Sequence, residues 1–187
     1  MHEIRGFRTP ADFRVWLEKN HHRTDALGVR IFKKASGRVS ITYGEALDEA
    51  LCYGWIDGLK LPYDELSWVQ RFTQRRAKSA WSKVNTEHVA RLTRDGRMRP
   101  PGQAVIDAAK ADGRWQAAYD SAATANVPSD LLAALDKNKK ARAFFDSLSK
   151  SNLYAIAWRL QTAKRPETRA HRMQQILEKL RKGEKFH

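Results

Sequence analysis

Apolar positions in the first 75 residues change their period several times. Phe13, Val15, Trp16 and Leu17 crowd a stretch from Ala11 to Asn20 that follows Thr9-Pro10. This predicts a first helix with Pro10 at its first position, where a missing N–H costs nothing. Gly28-Val29-Arg30-Ile31-Phe32-Lys33-Lys34 predicts a strand ended by Ser36-Gly37. Thr42-Tyr43-Gly44-Glu45 has the form of a capping box, with hydroxyl and carboxylate each satisfying a free backbone N–H. The helix it opens places Tyr43, Leu47, Ala50 and Leu51 on one face and stops at Gly54. Two strands follow, Trp55 to Leu61 and Leu66 to Arg75, joined around Pro62-Tyr63-Asp64. Side chains alternate across a strand, so Leu66, Trp68 and Phe72 point one way and Arg71, Thr73 and Arg75 the other.

From about Ser79 the period becomes helical. Trp81, Val84, His88 and Leu92 share a face, and Gly96 ends that helix. Pro100-Pro101 starts another, with Val105, Ala108 and Ala109 inside and Gly113 beyond its end. Ser129 suits the N-cap of a helix through Leu131 and Leu135. Further helices are marked by Phe144, Phe145 and Leu148, by Leu153, Ile156, Ala157 and Leu160, and by Met173, Ile176, Leu177 and Leu180 after Pro166-Glu167. Strands mixed with helices, then helices alone, predict an α+β fold. A small antiparallel sheet packs with helices in the N-terminal half, and a mostly helical C-terminal half follows. Residues 1–99 are read as the α+β domain and 100–187 as a helical region packed on it, or continuous with it as one domain.

Composition narrows the class. The 187 residues are 42% hydrophobic and include six Trp, which excludes a disordered chain. The lone Cys52 excludes an internal disulfide and fits a reducing compartment. No run approaches the roughly 18 apolar residues of a membrane span. The start, Met1-His2-Glu3-Ile4-Arg5, has no apolar region of the signal-peptide type, so a cytoplasmic location is expected. Net charge is +14, unevenly placed: residues 1–67 are neutral, 68–99 carry +7 and 164–187 carry +5. Such asymmetry points to an anionic partner, either a small molecule or nucleic acid, although a solvated basic surface has the same composition.

Several stretches together resemble the YdeI/OmpD-associated (bacteriocin-protection) family. They are Ala50-Leu51-Cys52-Tyr53-Gly54-Trp55-Ile56-Asp57-Gly58; Arg71-Phe72-Thr73-Gln74-Arg75-Arg76 leading into Ser79-Ala80-Trp81-Ser82-Lys83-Val84-Asn85; Gly96-Arg97-Met98; Asp112-Gly113-Arg114-Trp115; Val127-Pro128-Ser129-Asp130-Leu131; and Ala163-Lys164-Arg165-Pro166-Glu167-Thr168-Arg169. Gln74 departs from the pattern, which has proline there. The resemblance implies a link to an outer-membrane porin, a role in resistance to antimicrobial peptides or bacteriocins, and a periplasmic location at odds with the N-terminus. It brings no catalytic residues.

The residues themselves suggest a basic, Trp-lined cleft built from Trp55, Asp57, Arg71, Thr73, Arg75, Arg76, Trp81, Ser82 and Asn85. Arginines on one strand face can grip a carboxylate or phosphate bidentately. A helix starting near Ser79 adds free N–H groups, and indoles can stack on a planar ligand. The bland alternative puts the tryptophans in the core and Asp57 in an ion pair with Arg71 or Arg75. A second basic stripe comprises Lys164, Arg165, Arg169 and Arg172, the last three at i, i+4, i+7. Glu45, Asp48 and Glu49 could supply an acid or base but read more simply as first-turn and surface carboxylates. His21, His22, His88 and His171 lack metal-ligand spacing, so no metal and no cofactor are expected. Three functions remain open. One is a binding module for an anionic small molecule or nucleic acid. Another is an enzyme on a small toxic compound with Asp57 as general base. The third is an interaction protein docking an acidic partner.

Overall fold

The computed structural model describes residues 3–121 and 126–186. Two compact units are present: residues 1–79 with 85–116, and residues 80–84 with 117–187. The first unit therefore takes in the helix at 100–111, which the sequence reading assigns to the helical region.

The first unit holds a four-stranded sheet made of β1 (Glu3–Gly6), β2 (Leu27–Phe32), β3 (Trp55–Pro62) and β4 (Ser67–Gln74), in the order β1-β2-β4-β3. β4 runs antiparallel to both neighbours, as expected for the hairpin, but β1 lies parallel to β2 with Ile4 opposite Gly28. The sheet is thus mixed rather than purely antiparallel. Four residues are too few to leave an alternation that a sequence could announce, so β1 is found only in the structure. The class itself stands: α+β, with the sheet in the N-terminal half and helices after it.

Helix α1 (Pro10–Asn20) is closed by a capping box between Thr9 and Asp12, and α2 (Tyr43–Cys52) by the expected one between Thr42 and Glu45. α1 and α2 pack on each other, and α2 on β3. Between them and the sheet lie Phe13, Leu17, Val29, Ala46, Ala50, Trp55 and Phe72, all shut from solvent. Their rings interlock, with Phe13 at 5.8 Å from Phe72 and Trp16 edge-on to Trp55 at 5.7 Å.

Helix α3 (Lys83–Arg94) buries Val89 and Leu92. Trp81 precedes it and Val84 is exposed on it, so the face expected from Trp81, Val84, His88 and Leu92 is not the one formed. Helix α4 (Pro100–Ala111) packs against α2. Its buried face is Gly102, Ile106 and Ala109, a correction to the expected Val105, Ala108 and Ala109. The register turns because Gly102 sits on the end of α2, where an added Cβ would lie 2.2 Å from the Cys52 carbonyl oxygen. Only glycine lets the two backbones approach this closely.

The second unit contains α5 (Ser129–Asp136), α6 (Lys139–Asp146), α7 (Lys150–Gln161) and α8 (Pro166–Lys182). α8 packs against the other three. Leu131, Leu135, Phe145, Ile156, Leu160, Ile176 and Leu180 form their shared core. Ser129 is the first residue of α5 rather than its cap, a position taken by Pro128. None of the described helices is long and apolar enough to cross a membrane.

Candidate functional site: an arginine-lined hollow

The period of two along β4 puts Arg71 and Thr73 on one side of the strand, and with Arg75, just past its end, they line a hollow of about 630 Å³ within the first unit. Gln74, Arg76 and Ala77 continue the wall as the strand ends. Tyr53 and Gly54 contribute the turn from α2 into β3. The far wall is Pro101, Ala104, Val105 and Ala108 of α4, and Arg114 closes it just past that helix. Gly54 has φ +76°, and a Cβ there would stand 3.0 Å from both the Pro101 carbonyl oxygen and Val105 Cγ2. The turn and the helix are therefore fitted to each other at the mouth. The Gly54 carbonyl accepts the backbone N–H of Arg75 at 2.9 Å, which fixes the strand end.

Four arginines meet in this hollow and no carboxylate lines it. Arg75 and Arg114 are each only 7% exposed. Arg114 is held from behind: its Nε donates to Asp112 Oδ1 at 2.8 Å and Oδ2 at 2.6 Å, and an Nη donates to the Ser79 carbonyl at 3.1 Å. The Arg71 Nε is closed off from solvent and finds no acceptor among the described residues. A buried, charged N–H without an acceptor costs free energy of about 1–3 kcal/mol or more.

The sequence-predicted site residues divide. Arg71, Thr73, Arg75 and Arg76 come together in the hollow. Trp55 does not line it: the ring is fully buried and its Nε1 donates to the His21 carbonyl at 2.9 Å. Asp57 does not line it either, and accepts the Tyr43 hydroxyl at 2.9 Å instead of an arginine. Asn85 lies in α3 and does not line the hollow. Trp81 and Ser82 belong to the second unit, where Trp81 is buried and Ser82 forms a β-bridge with Tyr119. Sequence reasoning missed Tyr53, Arg114 and the α4 wall. The signal for the wall was present: Pro101, Ala104, Val105 and Ala108 follow i, i+3, i+4, i+7.

Two members of the second basic stripe, Arg169 and Arg172, are engaged within their own unit. Arg169 holds Asp130 through both Nη atoms, at 2.6 and 3.0 Å. Arg172 donates to the Arg159 carbonyl at 2.8 Å. Arg165 is the N-cap residue of α8 rather than part of it, and Lys164 precedes it in the chain; both are exposed.

The carboxylates of α2 hold a further surprise. Glu49 is only 1% exposed, not a surface group. Arg14 of α1 grips it with Nε at 2.9 Å and Nη2 at 2.7 Å, and Arg97 adds an Nη2 contact at 2.7 Å. Beside it Asp48 receives Arg91 at 2.7 Å and faces His88 Nδ1 at 3.0 Å. Cys52, one turn on, is buried, and that burial, with Glu49 nearby, pushes its thiol up to about 11. Paired on all sides, this cluster has the character of a brace. No group of three or more His, Cys, Asp or Glu side chains among the described residues is placed to hold a metal ion.

Comparison with known families finds two matches. Residues 5–105 match a domain of unknown function, DUF8412, and residues 124–183 match the family described as Bacteriocin-protection, YdeI or OmpD-Associated. Of the stretches that carry the resemblance to the latter, Val127–Leu131 and Ala163–Arg169 fall inside its match, while those between Ala50 and Met98 fall under the former. Neither the curated proteins nor the solved structures give a match. The hollow and its four-stranded sheet thus sit almost wholly within the first matched segment, which spans more than half of the chain. The chain belongs to the DUF8412 domain family, and its residues 124–183 match the model of the bacteriocin-protection, YdeI or OmpD-associated family.

Proposed function

We propose that the protein is a binding module that captures an anionic small molecule in the hollow between β4 and α4. The observation that carries this reading is the meeting of Arg71, Arg75, Arg76 and Arg114 around one concave space with no carboxylate in its lining. Guanidinium groups recognise carboxylate and phosphate oxygens through paired N–H donors, and a partly enclosed site strengthens each contact. The volume suits a drug-sized ligand rather than an extended polymer. The nucleic-acid version loses its stacking platform, since Trp55 is spent in the core. The enzyme version loses its named base, since Asp57 is bound to Tyr43 outside the hollow. A role in protection against a bacteriocin accords with the description of the C-terminal match.

A thermal-shift screen against carboxylates, phosphates, nucleotides and short DNA and RNA tests this. A true ligand gives saturable stabilisation, about 2.7 kcal/mol at a hundred times its Kd. The shift should fall by about half or more in Arg71→Ala and by less in Arg76→Ala, an exposed position. No shift with any anion, or a shift that both variants retain, refutes the reading.

One observation favours docking of a protein partner as a second reading. The β3–β4 hairpin exposes Leu59, Leu61, Tyr63 and Leu66, and Arg30 stacks on Tyr63 at 4.5 Å. Exposed apolar clusters rimmed by charge mark contact surfaces. In that case Leu59→Ser with Leu61→Ser abolishes partner binding and leaves the thermal-shift response untouched.

A further inference from the structure

Helix α4 has three faces where a surface helix ordinarily has two. Gly102, Ile106 and Ala109 are buried. Gln103 and Asp107 form a polar flank, joined by a 2.8 Å hydrogen bond. The third face, Pro101, Ala104, Val105 and Ala108, is apolar, carries no polar side chain and forms one wall of the hollow. Ala104 and Ala108 are exposed, so this face is not consumed by the core. A solvent-facing helical face is normally polar. Here the apolar stripe shares the hollow with Arg71 of β4 and with Arg75 and Arg76 just past its end.

From this pairing we infer that the ligand is amphipathic: an oxyanion head held by Arg71, Arg75 and Arg76, and an apolar body laid along Pro101, Ala104, Val105 and Ala108. The inference rests on the anion-capture reading and narrows it. Short side chains on the helix leave space for the body, which an aromatic ring or a short alkyl chain fills. A wholly polar anion wets the α4 wall without gaining from it. An apolar body removes that wall and its own surface from water.

Isothermal titration calorimetry with four probes tests the assignment: inorganic phosphate, glycerol 3-phosphate, phenyl phosphate and octanoate. Phenyl phosphate should bind about tenfold more tightly than glycerol 3-phosphate, the gain expected from burying some 50 Å² of apolar surface. Octanoate binding as well as phenyl phosphate places the head preference on oxyanions in general; phenyl phosphate alone places it on phosphate. In Ala104→Gln with Ala108→Gln, two exposed positions that accept a good helix former, the ratio of phenyl phosphate to glycerol 3-phosphate affinity, measured in the same variant, should fall from tenfold to below about threefold. Equal binding of phenyl phosphate and glycerol 3-phosphate overturns the amphipathic ligand and leaves anion capture standing. A preference that survives the double substitution overturns the role of α4. Silence from all four probes overturns both.

Discussion

At the scale of single residues, two glycines set the hollow's dimensions. Gly102 lets α4 rest on the last carbonyls of α2, and Gly54 turns the chain beneath Pro101. Gly102→Ala forces a Cβ into the Cys52 carbonyl at 2.2 Å, so α4 must lift. The expected cost is about 2 kcal/mol or more, read as a lower urea midpoint with an unchanged slope. Ligand affinity should fall as well, because the apolar wall moves with the helix. Neither glycine announces this in the sequence. Gly54 reads as a helix stop, which it is, and Gly102 reads as an oddity within a helix. A close approach between two elements is a property of the pair, and no local pattern encodes it.

At the scale of elements, α2 is the hub of the first unit. It packs on α1, β3 and α4, and its Glu49 draws Arg14 and Arg97 inward. Glu49→Ala leaves two arginines facing a buried void. Removal of one member of a buried ion pair is strongly destabilising, and a loss of about 3 kcal/mol is expected in chemical denaturation. The sequence made α2 itself plain through Thr42, Glu45 and the apolar face of Leu47, Ala50 and Leu51. It hid the burial of Glu49, because a carboxylate on a helix is ordinarily wet and its partners lie 35 and 48 residues away. The same distinction holds for α4. Its ends were legible from Pro100 and Gly113, but an apolar stripe wider than one face leaves open which part enters the core. The part assigned inward, Val105 and Ala108, is the part that lines the hollow.

At the scale of the whole molecule, the excess positive charge has two fates. In the second unit part of it is paired, as where Arg169 meets Asp130, while Lys164 and Arg165 stay exposed. In the first unit the arginines of the hollow converge without a lining carboxylate. Arg169→Ala should therefore leave ligand affinity unchanged, whereas Arg71→Ala lowers it about tenfold or more. Its stability effect should stay below about 1 kcal/mol, since the pair is half exposed. The effect should also depend on pH in one direction. The Arg169 guanidinium holds the Asp130 carboxyl below the usual carboxylate range. The folded chain therefore keeps that group ionised at pH values where the unfolded chain protonates it. The contribution is present above about pH 4 and fades as pH falls further, so wild type and variant converge in acid. Counting charges along the sequence located both basic segments correctly. It could not say which arginines line a hollow and which meet an acidic residue at the surface, because that depends on how distant parts of the chain come together.

The strand order β1-β2-β4-β3 has a consequence for how the chain is made. β4 sits between β2 and β3 yet follows both in sequence. As the polypeptide leaves the ribosome, two strands emerge that are not each other's neighbours. The one that joins them is still inside the exit tunnel. A nascent chain that ends between Pro62 and Ser67 carries open strand edges with no native mate, the condition under which mispairing and chaperone capture occur.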